Sequence, residues 1–175
     1  MIRFIFFDGD GVLWKPIGGI HPRNIWIKVW KQVYSREEAI SRFVLDEDAK
    51  MILDHFMKKG KYLVLLSASP YALKEAQKNL EDLCSHFGIA KFFDEIWATA
   101  NYPEAKGEKI AEILKRRKGR SDEGIMIGDS LKWDIRSANG VGVQAVLLAR
   151  QYNRKNHTEA EIVVDKLSKL SELIT

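Results

Sequence analysis

The stretch FIFFDGDGVLW, residues 4–14, ends an apolar run in two aspartates, Asp8 and Asp10, with one glycine between them. Carboxylates this close raise each other's pKa, so the pair is costly unless a cation or a reaction uses both. Other polar groups stand in equivalent places. Ser67 and Ala68 follow the apolar run of YLVLLSASP, and Lys106 follows EIWATANYPEA after a short loop. Asp129 and Ser130 follow IMIG, with Asp134 five residues beyond Asp129. Singly, each has a plain structural use. An aspartate or serine after a strand caps a helix or shapes a turn, and a lone lysine is a solvated charge. Gathered at one place, the carboxylates suit a hard divalent cation that takes oxygen ligands.

The elements that would gather them follow from periodicity. Short apolar runs at 2–7, 62–66, 95–98, 124–127, 143–148 and 162–164 alternate with helical spacing at 49–59, 73–87, 107–118 and 131–139. Gly60 and Gly88 stand where helix-ending glycines belong. Near-continuous apolar strands between helices predict an α/β fold, a doubly wound, Rossmann-like parallel sheet of about five to six strands with helices on both faces. In such a sheet the C-terminal strand ends share one edge, where ligands bind.

Residues 15–45 interrupt the alternation. Pro16, Gly18, Gly19 and Pro22 make a loop, and residues 25–34 fit a helix or, through Ile25, Ile27 and Val29, a strand. Ser35 and Glu38 have the spacing of a capping box. We read this segment as a small cap-like insertion after the first strand, within one domain spanning 1–175.

The 175 residues, 46% hydrophobic and 30% charged, describe a globular chain with a substantial core. No apolar run approaches the ~20 residues of a membrane span. No small-residue cleavage site follows the N-terminal apolar stretch, so a cytoplasmic protein is expected. The single cysteine, Cys84, excludes an internal disulfide and is expected in the core. His21, His55, His86 and His157 lack the spacing of a zinc pair. The net charge of +4 favours an anionic ligand without arguing for nucleic acid. The basic run KRRKGR, 115–120, would end a helix that starts near Lys106. At ~1.5 Å per residue it lies about 15–18 Å from the active edge, where it complements the helix dipole.

With its motifs in this order, the sequence resembles the haloacid dehalogenase-like superfamily of phosphohydrolases along nearly its whole length. FFDGDGVL is similar to the first motif, a hydrophobic run followed by Asp-x-Asp-x-(Thr/Val)-Leu, and LLSAS to the second, an apolar strand ending in Ser or Thr. Lys106 stands where the third motif has its lysine, and GDSLKWDI followed by SANGVG is similar to the fourth. The resemblance implies a Mg²⁺-dependent phosphatase acting on a phosphate monoester. It makes Asp8 the nucleophile that becomes an aspartyl-phosphate, and Asp10 the general acid and then base. It assigns the metal to Asp8, the Asp10 backbone carbonyl and Asp129, and the phosphate oxygens to Ser67, Ala68 and Lys106. Asp134 and Ser130 would support these groups from behind. Dehalogenases of the superfamily lack an aspartate at the position of Asp10, so its presence points to phosphoryl chemistry. A phosphotransferase or mutase, and a non-catalytic phosphate-binding module, stay open as alternatives.

The insertion is short, so the resemblance implies a rather open site. Its partner would be a phosphorylated small molecule or an exposed macromolecular phosphoester, not nucleic acid or membrane. Trp14 and Trp133 are the candidates for touching substrate, and Trp26 and Trp30 for sealing the insertion against the core.

Overall fold

The computed structural model describes residues 1–156 and 160–175. Residues 157–159, His157 among them, and the side chains of Trp30 and 154–156 lie outside that description. In chain order the elements are β1 (Phe4–Phe7), β2 (Trp14–Pro16), α1 (Arg23–Trp30), α2 (Arg36–Ile40), β3 (Phe43–Leu45), α3 (Ala49–Lys58), β4 (Tyr62–Ala68) and α4 (Leu73–Phe87). They continue with β5 (Glu95–Thr99), α5 (Ala105–Arg116), β6 (Gly124–Gly128), α6 (Arg136–Asn139), β7 (Gln144–Leu148), β8 (Ile162–Val164) and α7 (Leu170–Leu173).

Six strands form one parallel sheet in the order β5-β4-β1-β6-β7-β8. Their continuous apolar character has the expected cause, burial on both faces. Along β1, Ile5 and Phe7 enter the core shared with Leu53, Phe56 and Leu80 of α3 and α4. Phe4 and Phe6 point the other way, into the core built with Ile110 and Ile113 of α5 and Ala138 of α6. Phe7 pairs with Leu65 of β4 and Ile127 of β6. That register places Asp8, the next residue, between the ends of its two neighbouring strands. No described helix is long and apolar enough to cross a membrane.

The insertion contains a two-stranded antiparallel ladder in which Trp14 pairs with Leu45 and Pro16 with Phe43. The ambiguous stretch after Pro22 is helical as α1, and Ile25 is buried with Ala39 and Phe43 in the core beneath β1. Ser35 caps α2 with the reciprocal Glu38 bonds that its spacing announced. One expectation fails in detail. The stretch 131–139 is not one α-helix but a π-helical turn at Leu131–Ile135 followed by α6.

Candidate active site

The turn after β1 is held tightly. Asp8 N–H continues the ladder to the Ile127 carbonyl, and the chain then folds back through a Leu13 N–H bond to the Gly9 carbonyl. A Cβ on Gly9 would overlap the Trp14 ring, and one on Gly11, at φ +81°, would overlap the Asp129 carboxylate. Only glycine lets the backbone pass so close to these groups.

Asp8 is 6% exposed and Lys106 2%. The Lys106 ammonium lies 2.7 Å from Asp8 Oδ1 and 2.5 Å from Asp134 Oδ1. Gly9 N–H donates to the same Asp8 Oδ1 at 2.8 Å. Both donors therefore fall on one oxygen, and among the described residues nothing donates to Oδ2. Asp134 is fully buried, with Ser130 N–H donating to its Oδ2 at 3.0 Å. The π turn and Gly128, where a Cβ would overlap Asp134, allow this inward placement.

One carboxylate oxygen from each of Asp8, Asp129 and Asp134 lies within 4.8 Å of the other two. One buried ammonium faces three acids. Burial, followed by repulsion from Asp134, pushes the Asp8 carboxyl well above the usual range despite Lys106. The same causes push Asp129 up to about 7. Burial opposes the charge on Lys106, but Asp134 and Asp8 outweigh it and hold the ammonium charged. The excess negative charge and hard oxygen donors are what a divalent cation requires. Asp134 has a donor on each of its oxygens, Lys106 on Oδ1 and Ser130 on Oδ2, whereas Asp8 and Asp129 each keep one oxygen without a donor among the described residues.

Asp10 is gripped by two indoles. Trp14 Nε1 donates to Oδ1 at 2.6 Å and Trp26 Nε1 to Oδ2 at 2.7 Å. Burial pushes this carboxyl up, and the two indole bonds pull it part of the way back. Trp14 is thus not a free stacking surface: it is fully buried, with its ring stacked on Phe87. Trp26 stacks on Phe43 of the insertion and also reaches the active edge. Trp133 is half-buried in the π turn, with Lys132 over its ring.

Ser67 and Ala68 are the last residues of β4, and the Ser67 hydroxyl has no protein partner among the described residues. Ser130 accepts from Trp133 N–H at 3.3 Å and caps the π turn. The sheet therefore brings Asp8, Asp10, Ser67, Lys106 and Asp129 to one edge, with Asp134 behind Lys106.

Three further residues were not foreseen from the sequence. The Tyr152 hydroxyl donates to Asp129 Oδ2, and Asn153 Nδ2 donates to the Asp129 carbonyl at 2.8 Å. Arg150 donates to the Gly11 and Val12 carbonyls at 2.6 and 3.1 Å and to Asp46 Oδ2 at 2.9 Å. All three follow β7, whose sequence carries no motif. The basic run lies at the other end of α5, where Arg116 and Arg117 bind Glu95.

A family model described as haloacid dehalogenase-like hydrolase matches residues 21–148. Phosphoglycolate phosphatase of Vibrio parahaemolyticus is 27% identical over 130 residues, 71% of this chain and 54% of the relative. That of Vibrio vulnificus matches to the same extent. The chain thus spans about half the length of the curated relatives it matches. Among solved structures, a HAD-hydrolase of Bacillus subtilis bound to magnesium superposes with a TM-score of 0.74 at 13% identity, covering 99% of both chains. A HAD phosphatase of Thermococcus onnurineus gives 0.73 at 16% identity, covering 99% of this chain and 98% of its own. These structures share the fold.

Proposed function

Because the chain belongs to the haloacid dehalogenase-like hydrolases, we propose that it is a Mg²⁺-dependent phosphatase that hydrolyses a small phosphate monoester through an aspartyl-phosphate on Asp8. One observation carries this reading. Both donors to Asp8 fall on Oδ1, which leaves Oδ2 unencumbered to attack phosphorus.

In the first step Asp8 Oδ2 bonds to phosphorus while the ester P–O bond breaks, and Asp10 gives its proton to the departing oxygen. Asp10 then takes a proton from the water that cleaves the aspartyl-phosphate. The paired indoles fix its carboxyl for both transfers. Ser67 and Lys106 would meet the phosphoryl oxygens, and Lys106 in turn is held by buried Asp134. Asp8, Asp129 and the Asp10 carbonyl would hold Mg²⁺, which when bound neutralises the charge between the acids and the incoming phosphate. We place the activity in the cytoplasm.

Phosphate release from an aryl phosphate, with Mg²⁺ or with chelator, tests the reading in wild type, Asp8→Asn and Asp10→Asn. Metal-dependent turnover that both substitutions abolish is the expected result. Turnover that survives Asp8→Asn would sink it.

A further inference from the structure

The insertion carries the charge of this chain. Residues 15–45 hold six lysines and arginines against two glutamates, a net +4 that equals the net charge of the whole sequence. The rest of the chain is neutral, and no catalytic step above uses the surplus. The insertion also leaves apolar side chains in water, with Ile17 62% and Ile20 45% exposed.

Both features meet in a recess of about 390 Å³ beside α1, with Ile17, Ile20, Ile25, Lys28, Tyr34 and Arg42 among its walls. Ile25 is 2% exposed and packs with Ala39 and Phe43, so the recess reaches down to the core beneath α1. Lys28 and Arg42 close on one ring. The Lys28 ammonium donates to the Tyr34 hydroxyl at 3.2 Å, and the Arg42 guanidinium lies 3.9 Å from the ring centroid. Among the described residues neither cation has a carboxylate partner, and no acid lines the recess. Two like charges drawn to one ring repel each other, and an anion beside them relieves that repulsion.

The walls limit the occupant. An apolar lining with a few polar groups, at a volume within the roughly 300–1,000 Å³ of ligand sites, suits a small molecule. A bare anion would meet the cations and leave the isoleucines in water. A neutral chain would cover the isoleucines and leave the cations unpaired. An anionic head on an alkyl chain does both. The hollow shape, with a buried isoleucine at its base, favours a free molecule over a bilayer, which takes projecting apolar groups.

We propose that this recess binds a medium-chain alkyl carboxylate, its chain against Ile17, Ile20 and Ile25 and its head on Lys28 and Arg42. The recess shares no wall with the cavity beside Asp10, and the proposal does not rest on the phosphatase reading.

Titration calorimetry of the full chain with octanoate, hexanoate and octanol tests this. Octanoate should bind saturably at a single site. Each buried methylene is worth roughly fourfold in affinity, so octanoate should exceed hexanoate roughly tenfold. It should exceed octanol several-fold, because only the carboxylate meets the cations. In the double variant Lys28→Gln, Arg42→Gln, octanoate should fall to the level of octanol while octanol stays unchanged. Ile20→Ser should weaken both. All three residues are exposed, and circular dichroism checks their folding. No saturable binding of octanoate below its micellar concentration, octanol binding as tightly as octanoate, or a double variant that binds octanoate like wild type would overturn the proposal. Binding to anionic phospholipid vesicles without binding of octanoate would also overturn it and assign the surface to a membrane. The wild-type comparison decides by itself, so a variant that fails to fold does not block the test.

Discussion

The indole N–H of Trp26 lies 2.7 Å from Asp10 Oδ2, so a helix of the insertion holds the carboxyl proposed to move the proton. Trp26→Phe keeps the ring that stacks on Phe43 and removes only the donor. With an alkyl ester, kcat should fall about fivefold with KM little changed, since one oriented hydrogen bond contributes ~1 kcal/mol. Indole bonds favour the charged carboxylate and oppose the upward push of burial, so losing one raises the Asp10 pKa further. The alkaline limb of the pH–rate profile, where the acid is lost, should therefore move to higher pH. A limb that stays in place or moves down would show that Trp26 only packs.

Arg150 joins two parts of the chain that must stay in register. It binds the carbonyls of Gly11 and Val12, just past Asp8 and Asp10, and Asp46, where the chain leaves the insertion. Arg150→Met preserves much of the side-chain length but orphans two carbonyls and a carboxylate that is 5% exposed. Lys15 lies 3.4 Å from that carboxylate and offsets part of the loss. The expected cost is roughly 2–4 kcal/mol, measured as a lower urea midpoint at an unchanged m-value. A midpoint equal to wild type would show that Arg150 is not a structural tie.

Much of this was legible in the sequence, and what was not has identifiable causes. The helix at Leu73–Phe87 ends where Gly88 adopts a left-handed conformation, a signal one residue carries by itself. The π turn was missed because apolar spacing shows only which face is buried, and both Leu131 and Ile135 are. What makes the turn is Asp134 reaching Lys106, a partner 28 residues away. The β2–β3 ladder has three residues per strand, too few for alternation to register. Its place beside the first motif makes Trp14 a candidate for touching substrate, but it is fully buried and donates to Asp10. Its indole N–H and the facing Asp10, four residues earlier, were the signal for a buried donor. Arg150 and Tyr152 act on residues 139 and 23 positions away, and no local pattern encodes such pairs.

Gly11 links the shape of the turn to metal binding. At φ +81° any side chain is strained, and a Cβ would overlap both Asp129 Oδ2 and the Tyr152 hydroxyl. Gly11→Ala should therefore displace Asp129, a proposed Mg²⁺ ligand, without altering any charge. In wild type, Mg²⁺ at a hundred times its Kd adds about 2.7 kcal/mol and raises the thermal midpoint by roughly 5–10 °C over chelator. Gly11→Ala and Asp129→Asn should each lose most of that metal-dependent rise. If Gly11→Ala keeps the full rise, the turn does not set the position of Asp129.

Glu95 makes the acid limit of stability testable far from the active edge. Its side chain is 7% exposed and accepts from Tyr62 at 2.5 Å, Arg116 at 2.6 Å, Trp97 at 2.7 Å and Arg117 at 3.1 Å. Burial alone would raise this carboxyl, but the four donors outweigh burial and hold it at about 2. A carboxyl of the unfolded chain titrates near ~4.3, so the unfolded state takes up the proton first as pH falls. The contribution is fully present above roughly pH 5 and disappears as pH drops toward 2. Its ceiling is about 3 kcal/mol, and because Arg116 and Arg117 are each 44% exposed, screening leaves roughly 1–2 kcal/mol. Urea unfolding of wild type and Glu95→Gln should therefore differ most at pH 7 and converge on approach to pH 2. A difference that stays constant across that range would mean the Glu95 carboxylate charge contributes nothing, and that its hydrogen bonds are as strong when it is neutral.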